Sequence, residues 1–120
     1  MTYYGKVIHG NKNGRKFGFP TANILLNNSE NSPEKGIYAV QVTIGNKSFG
    51  GMLYVGTRPT LNLNGISIEI NIFDFNDDIY DEAISFEIVK RIRDDQKFPS
   101  IDQLIAQLQQ DKIIAQQYVL

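Results

Sequence analysis

A hairpin signal in the middle of the chain constrains the fold most. Residues 36–44 are rich in β-branched and other apolar side chains, which is typical of a strand. Gly45 and Asn46 then form a turn, and residues 47–55 supply a partner strand. A Gly50-Gly51 pair interrupts this second strand and indicates a bulge or the close approach of another backbone or a ligand. The centre of the chain is therefore predicted to form an antiparallel sheet.

Further short strands are predicted on both sides of this hairpin. Residues 3–9 and 19–26 precede it, and residues 67–75 and 83–92 follow it. The alternation is clearest in the third of these segments. One face carries Ile66, Ile68, Ile70 and Ile72, and the other carries Ser67, Glu69, Asn71 and Phe73. If the isoleucines face the core, Glu69 faces away from it, into solvent or a cleft.

The end of the chain reads as a helix over residues 101–119. Ser100 and Gln103 fit a capping box at its start. An apolar stripe at helical spacing predicts packing onto the sheet; it consists of Ile101, Leu104, Ile105 and Leu108. Short strands followed by one helix predict a mainly β domain, an antiparallel barrel or sandwich with an appended helix. A closed barrel is favoured because it leaves few exposed strand edges.

Composition excludes several classes of function. The chain has 120 residues, which suits one domain, and its net charge of -1 argues against a broad nucleic-acid surface. It has no cysteine and one histidine, which excludes disulfides, thiolate catalysis and His- or Cys-rich zinc sites. No window holds the roughly 20 apolar residues of a membrane helix, and the N-terminus lacks a signal-peptide core. These features predict a cytoplasmic protein without a membrane partner.

The segment from Gly5 to Asn23 combines four glycines with four cations. Such a loop can offer backbone amides and positive charge to a phosphate. Thr21 and Asn23 lie two positions apart, so in an extended segment both side chains share a face and could hold Mg²⁺. A Gly-rich hairpin with solvated lysines explains the same composition, and the standard phosphate-loop patterns are absent.

Two further places could carry chemistry. Glu69 is either a solvated strand carboxylate or a fixed general base toward a substrate hydroxyl. Residues 93–98 form a charged loop between the last strand and the helix, with Phe98 before a proline. Phe98 fits a flat wall for an aromatic ligand and fits a hydrophobic staple on the helix equally well.

Taken in order, these clusters resemble the riboflavin kinase family, including the kinase half of the bacterial bifunctional riboflavin kinase/FAD synthetase. The matching residues span most of the chain. They are Gly5-x-Val7-x-His9-Gly10, Gly14-Arg15, Gly18-Phe19-Pro20-Thr21-Ala22-Asn23, Gly36-Ile37-Tyr38-Ala39, Tyr54-Val55-Gly56-Thr57-Arg58-Pro59-Thr60, Ile68-Glu69, Phe73-Asp74-Phe75, Ile79-Tyr80, Arg93 and Lys97-Phe98. The Pro-Thr-Ala-Asn box with the Gly-Phe before it is the most specific single piece.

The resemblance implies that residues 1–120 form one riboflavin kinase domain, a six-stranded antiparallel barrel with a C-terminal helix. It implies transfer of the γ-phosphoryl group of ATP to the riboflavin 5'-hydroxyl, giving FMN and ADP. Glu69 would be the catalytic base, and Thr21 and Asn23 would bind Mg²⁺ and the nucleotide. The other implied nucleotide-binding residues are Gly10, Arg15, Ile72 and Tyr80. Arg93 and Phe98 would lie on the flavin side.

Two residues depart from the family pattern. Asp81 stands where the family usually has glycine, and Asp95 stands where it usually has glutamate.

The nucleotidyl-transfer half is missing, so the chain is either a whole kinase or a domain fused to, or excised from, an FAD synthetase. Two other hypotheses are a non-catalytic flavin-binding module and a barrel that binds single-stranded nucleic acid. The absence of a basic groove argues against nucleic acid as a partner.

Overall fold

The computed structural model describes residues 2–8, 21–27, 32–57, 66–75 and 79–119. Within these ranges lie strands β1 (Thr2–Ile8), β2 (Ala22–Leu26), β3 (Gly36–Ile44), β4 (Lys47–Thr57), β5 (Ile66–Ile72) and β6 (Ala83–Arg93), and helix α1 (Ile101–Tyr118). The strands close into an antiparallel barrel in the order β1-β2-β5-β4-β3-β6. The predicted barrel with a C-terminal helix is confirmed. The predicted strand positions at His9, Phe19 and Pro20 lie outside the described residues.

The central hairpin has the predicted register, since Ile44 pairs with Lys47 around a two-residue turn. Gly45 has a φ of 62°, a left-handed conformation that favours glycine. At Gly50 and Gly51, atoms of neighbouring elements lie close to the backbone of β4. A Cβ at Gly51 would lie 3.1 Å from a backbone oxygen of β5, and one at Gly50 would lie 2.8 Å from the side chain of Val119. These two glycines therefore let β5 and the end of α1 pack tightly on β4.

The barrel wall separates two apolar clusters. The interior cluster includes Val40, Leu53 and Ile70, each without exposed surface. The second cluster lies outside the barrel, where α1 packs, and consists of Ile37, Ala39, Met52, Phe73, Ala115 and Val119. The isoleucines 68, 70 and 72 of β5 belong to the interior, so Ser67, Glu69 and Asn71 are on the outer face, where they too are buried. The predicted division of β5 into two faces is thus confirmed.

Helix α1 begins as predicted, because the Ser100 hydroxyl accepts a hydrogen bond from the Gln103 amide at 3.2 Å. The predicted stripe is only partly right. Ile105 and Leu108 pack on the outer cluster, but Ile101 is 58% exposed because the contact with the sheet begins one turn later. The deepest residues of the helix are Asp111 and Ala115. In the part of the chain that the structure describes, no helix is long and apolar enough to cross a membrane.

Candidate active site

One row of residues crosses five neighbouring strands on the outer face of the barrel. The register pairs Asn23 with Glu69, Glu69 with Tyr54, Tyr54 with Ile37, and Ile37 with Arg93. Directly opposed residues of antiparallel strands share a face. We call these five residues the outer row. Strands lie about 4.8 Å apart, so the three steps from Glu69 to Arg93 span about 14 Å.

Glu69 is 5% exposed, and two hydroxyl groups hold its carboxylate. Thr21 Oγ1 donates to Glu69 Oε1 at 3.2 Å, and Ser67 Oγ donates to Glu69 Oε2 at 3.2 Å. Asn23 faces the same way, because it is paired with Glu69 and stands two positions after Thr21. The structure therefore brings together the three residues Thr21, Asn23 and Glu69 that the sequence singled out. It also rules out an openly solvated Glu69.

Ser67 is a member of this site that the sequence reasoning missed as a functional residue. It is buried and lies two positions before Glu69 on the same strand. The alternation of β5 already placed both side chains on one face. A hydroxyl at that spacing was the available signal, because it is within reach of the neighbouring carboxylate.

The donor atoms around Glu69 suit a hard cation. The Thr21 hydroxyl donates its hydrogen bond to Glu69, so the lone pairs of Oγ1 stay available to a metal ion. Asn23 adds an amide, and Mg²⁺ prefers such oxygens while keeping water and phosphate oxygens in its shell. Among the described residues, no three or more His, Cys, Asp or Glu side chains form a metal-binding group. The oxygens of Thr21 and Asn23 are thus the groups here that could hold such an ion together with phosphate oxygens.

Tyr54 forms the wall of the site beside Glu69. A Cβ at Gly56 would overlap the hydroxyl and the ring of Tyr54, so the ring lies along β4 directly over Gly56. Gly56 in turn is paired with Ser67. Only a glycine leaves room for this ring position. Tyr54 therefore fills the outer face next to Ser67 and Glu69, between the acid and the Arg93 end of the row.

Tyr80 lies in a turn that is attached to the end of β1. The Asp81 amide donates to the Val7 carbonyl at 2.8 Å, and the Val7 amide donates to the Glu82 carbonyl at 3.0 Å. Because the next residue of β1, Ile8, pairs with Asn23, this turn is at the same end of the barrel as Asn23. Tyr80 itself is exposed.

Asp81 adopts a φ of 72°, in the left-handed region. This conformation favours glycine, the residue that the resemblance leads us to expect at this position. The Asp81 carboxylate also lies 2.7 Å from Lys6 Nζ. The hydrogen bond from this ammonium group to Asp81 raises the pKa of Lys6.

The structure does not bring every predicted nucleotide residue to the outer row. The Ile72 side chain belongs to the interior cluster, on the face opposite Glu69. Gly10 and Arg15 lie outside the described residues. The nucleotide-binding roles of these three residues, like those of Thr21, Asn23 and Tyr80, stay predictions.

At the far end of the outer row, Arg93 lies between α1 and the loop that follows β6. Its guanidinium pairs with Asp111 of the helix at 2.8 Å, and its Cζ is 5.4 Å from the centre of the Phe98 ring. The two predicted flavin-side residues are therefore in contact with each other. Their flavin-binding role stays a prediction.

A second arginine ties the segment before β3 to β6. Arg91 Nη1 donates to the Tyr38 hydroxyl at 2.7 Å, and that hydroxyl donates to the Glu34 carbonyl at 2.6 Å. Burial raises the pKa of Tyr38, against the lowering effect of the Arg91 charge. Tyr38 is thus held in its neutral form, which can donate this hydrogen bond.

Curated proteins that are similar to this chain are named for two activities. The chain is 44% identical over 117 residues to the bifunctional riboflavin kinase/FMN adenylyltransferase of Bacillus subtilis, covering 95% of this chain and 37% of that protein. It is 45% identical over 109 residues to the protein of the same name from Haemophilus influenzae, covering 90% of this chain and 35% of that protein. The chain therefore spans little more than a third of the length of these relatives.

Two solved structures share the fold. A crystal structure named as a macrolide-efflux protein from Streptococcus pneumoniae is 40% identical, with a TM-score of 0.85, and matches 96% of this chain and 38% of that one. Riboflavin kinase from Trypanosoma brucei is 21% identical, with a TM-score of 0.66, and matches 97% of this chain and 77% of that one. At this lower identity the second likeness shows the fold alone.

The family itself is shown by a match along nearly the whole chain. The sequence model described as Flavokinase, riboflavin kinase, matches residues 1–119. The closed barrel and the curated relatives agree with it. The chain belongs to the riboflavin kinase family.

Proposed function

We propose that this chain transfers the γ-phosphoryl group of ATP to the 5'-hydroxyl of riboflavin, giving FMN and ADP. The observation that carries the proposal is the outer row. It joins an acid held by two hydroxyls, Glu69, to an aromatic and cationic end at Arg93 and Phe98. An extended substrate with a reacting hydroxyl at one end and an aromatic ring system at the other matches this arrangement.

Riboflavin has that shape, since a three-ring isoalloxazine carries a five-carbon chain that ends in a hydroxyl. The row spans about 14 Å from Glu69 to Arg93, and because α1 covers Ile37 between them, the substrate runs beside the row rather than over Ile37. With its rings against Phe98, the chain of riboflavin reaches past Tyr54 toward Glu69. Tyr54 then forms the wall beside the five-carbon chain of riboflavin. The acid that meets the reacting hydroxyl is held by a strand, which fixes it more rigidly than a loop would, whereas the ring end is bounded by Phe98 of the loop over residues 94–98.

Glu69 acts in this proposal as the general base. Its carboxylate takes the proton of the 5'-hydroxyl while the hydroxyl oxygen forms its bond to the γ-phosphorus and the bond to the β,γ-bridging oxygen breaks. The hydrogen bonds from Thr21 and Ser67 fix the direction of the carboxylate. Burial keeps bulk water away from the same oxygens. The Glu69 carboxylate is thus a proton acceptor with a fixed orientation and little contact with bulk water.

Thr21 and Asn23 would hold Mg²⁺ beside the phosphates. When bound, this ion neutralises phosphate charge. Tyr80, whose turn lies at the same end of the barrel as Asn23, is proposed on the nucleotide side together with Gly10, Arg15 and Ile72; because the Ile72 side chain faces the barrel interior, Ile72 would take part through its backbone. The nucleotide and the flavin then approach Glu69 from opposite directions.

The curated relatives are named for a second reaction, FMN adenylyl transfer, whose flavin substrate is the product proposed here. We propose that this chain supplies the kinase step of such a pair of reactions. The adenylyl-transfer step is not assigned to these 120 residues.

The test is formation of FMN by the purified chain from riboflavin and ATP, with FMN separated by chromatography. We expect FMN to form with Mg²⁺ and to stop when the metal is chelated by EDTA and resume when Mg²⁺ is restored in excess. Omission of ATP is the matched control. Tight riboflavin binding without any FMN would refute the kinase proposal and favour a flavin-binding module.

A further inference from the structure

Asp111 is a carboxylate with no exposed surface in the middle of α1. Its two oxygens accept from Arg93 Nε at 3.0 and 2.9 Å, and Oδ2 lies 2.8 Å from Arg93 Nη2. The Gln107 amide donates to Oδ1 at 2.9 Å. A buried carboxylate is costly unless it is paired and hydrogen-bonded in this way. The helix therefore fixes Arg93 in one position.

The remaining nitrogen of the guanidinium is engaged as well. Arg93 Nη1 donates to the carbonyl oxygen of Asp94 at 3.0 Å. All of these bonds lie at the edge of the planar group, which leaves its face for the Phe98 ring at 5.4 Å. Arg93 thus connects the helix to both ends of the loop over residues 94–98.

Arg93 has little left to offer a ligand directly. Its side chain is 16% exposed, and each of its three nitrogens already has an acceptor. The neighbouring ion pair of Arg91 with Asp94, at 2.6 Å, is different because the Asp94 side chain is 89% exposed. The two ion pairs at this end of β6 therefore lie in different environments: the pair of Arg93 with Asp111 is buried, and the pair of Arg91 with Asp94 is exposed to solvent.

We propose that Asp111 is a positioning residue for the flavin end of the site. Asp111 holds Arg93, the face of Arg93 supports the Phe98 ring, and Phe98 forms the wall for the flavin rings. Arg93 acts on the flavin through Phe98 rather than by pairing with it. The identity of the ligand rests on the proposed function, but the connection from helix to loop does not.

The decisive variant replaces both charges at once, Arg93→Met with Asp111→Leu. Apolar replacement of a complete buried pair often keeps stability, whereas removal of one partner leaves an unpaired charge. If the pair only fastens the helix, this double variant folds and binds riboflavin as the wild-type protein does. If the pair positions Phe98, the double variant folds but loses the flat support of the ring. Arg93→Lys is the second variant, since it keeps the charge and loses the planar fork.

Two readouts decide the matter, and neither needs turnover. One is riboflavin binding followed by flavin fluorescence, and the other is hydrogen exchange of the backbone amides of residues 94–98 in the ligand-free protein. We expect riboflavin to bind at least tenfold more weakly and these amides to exchange faster in both variants. Asp94→Asn, which breaks the exposed pair of the same loop, is the control and should leave both readouts near wild type.

Wild-type riboflavin affinity together with wild-type exchange in the two variants would overturn the proposal. If the double variant does not fold, Arg93→Lys decides by the same readouts. If the wild-type chain neither binds riboflavin nor forms FMN, the proposed function fails. The exchange measurement still tests whether Asp111 and Arg93 order the loop.

Discussion

Removing the Ser67 hydroxyl takes away one of the donors that direct the Glu69 carboxylate. A hydrogen bond to a charged group contributes about 1.5–3 kcal/mol. The bond from Ser67 is 3.2 Å long, longer than is usual for a hydroxyl donor, and Thr21 still holds the other oxygen. We therefore take the lower figure, about 1.5 kcal/mol, for Ser67→Ala. At 1.36 kcal/mol per factor of ten, kcat should fall about tenfold.

Steady-state FMN formation measures this effect. The KM values for ATP and riboflavin should change little, because Ser67 directs the base and is not proposed to contact either substrate. Ser67→Thr keeps a hydroxyl and should recover most of kcat. Ser48→Ala is a matched control on the same sheet, since the exposed Ser48 hydroxyl accepts from Gln41 at 2.6 Å, a neutral bond outside the site. If Ser67→Ala and Ser48→Ala turn over equally fast, the account of how Glu69 is held is refuted.

Three predictions concern the frame around the site. Asp81→Gly should be more stable than Asp81→Ala by about 1 kcal/mol and so unfold at a higher temperature, because both lose the Lys6 pair but only glycine relieves the φ of 72°; equal melting temperatures would contradict this. Gly5→Ala should cost about 1–3 kcal/mol in denaturant unfolding, because its Cβ would lie 2.6 Å from the Leu25 carbonyl oxygen; an unchanged midpoint would show that the strands can shift. The raised pKa of Tyr38 means that its stability contribution is complete below the unfolded pKa near 10.0 and is lost as pH rises through the folded pKa; Tyr38→Phe should therefore lose less stability between about pH 9 and 12 than the wild type does.

Local pattern was sufficient for most of the fold. The alternation in β5, the two-residue turn at Gly45 and the cap at Ser100 each depend on neighbours in sequence, and the structure has all three. The pairing of β2 with β5 is different, because these strands are far apart in the chain. Alternation shows that Thr21 and Asn23 share a face, but only the register shows that the face is that of Glu69.

Buried polar contacts were the part that sequence could not supply. Asp111 lies between Gln110 and Lys112 and reads as part of a solvated helix face, yet it has no exposed surface. Its burial depends on Arg93, eighteen positions earlier, which no helical spacing connects to it. The prediction for Ile101 was wrong in the opposite direction, because the apolar stripe predicts its burial but does not show where the sheet ends. Both cases are decided by the position of the helix on the barrel.

The measurement that tests the central claim most directly is turnover by Glu69→Gln. Glutamine keeps the size of the side chain and an acceptor for Thr21 or Ser67, but it cannot take the proton of a hydroxyl. With the unfolding temperature unchanged and riboflavin still bound, we expect kcat for FMN formation to fall by about 10²–10⁴. Wild-type kcat in this variant would contradict the assignment of Glu69 as the base.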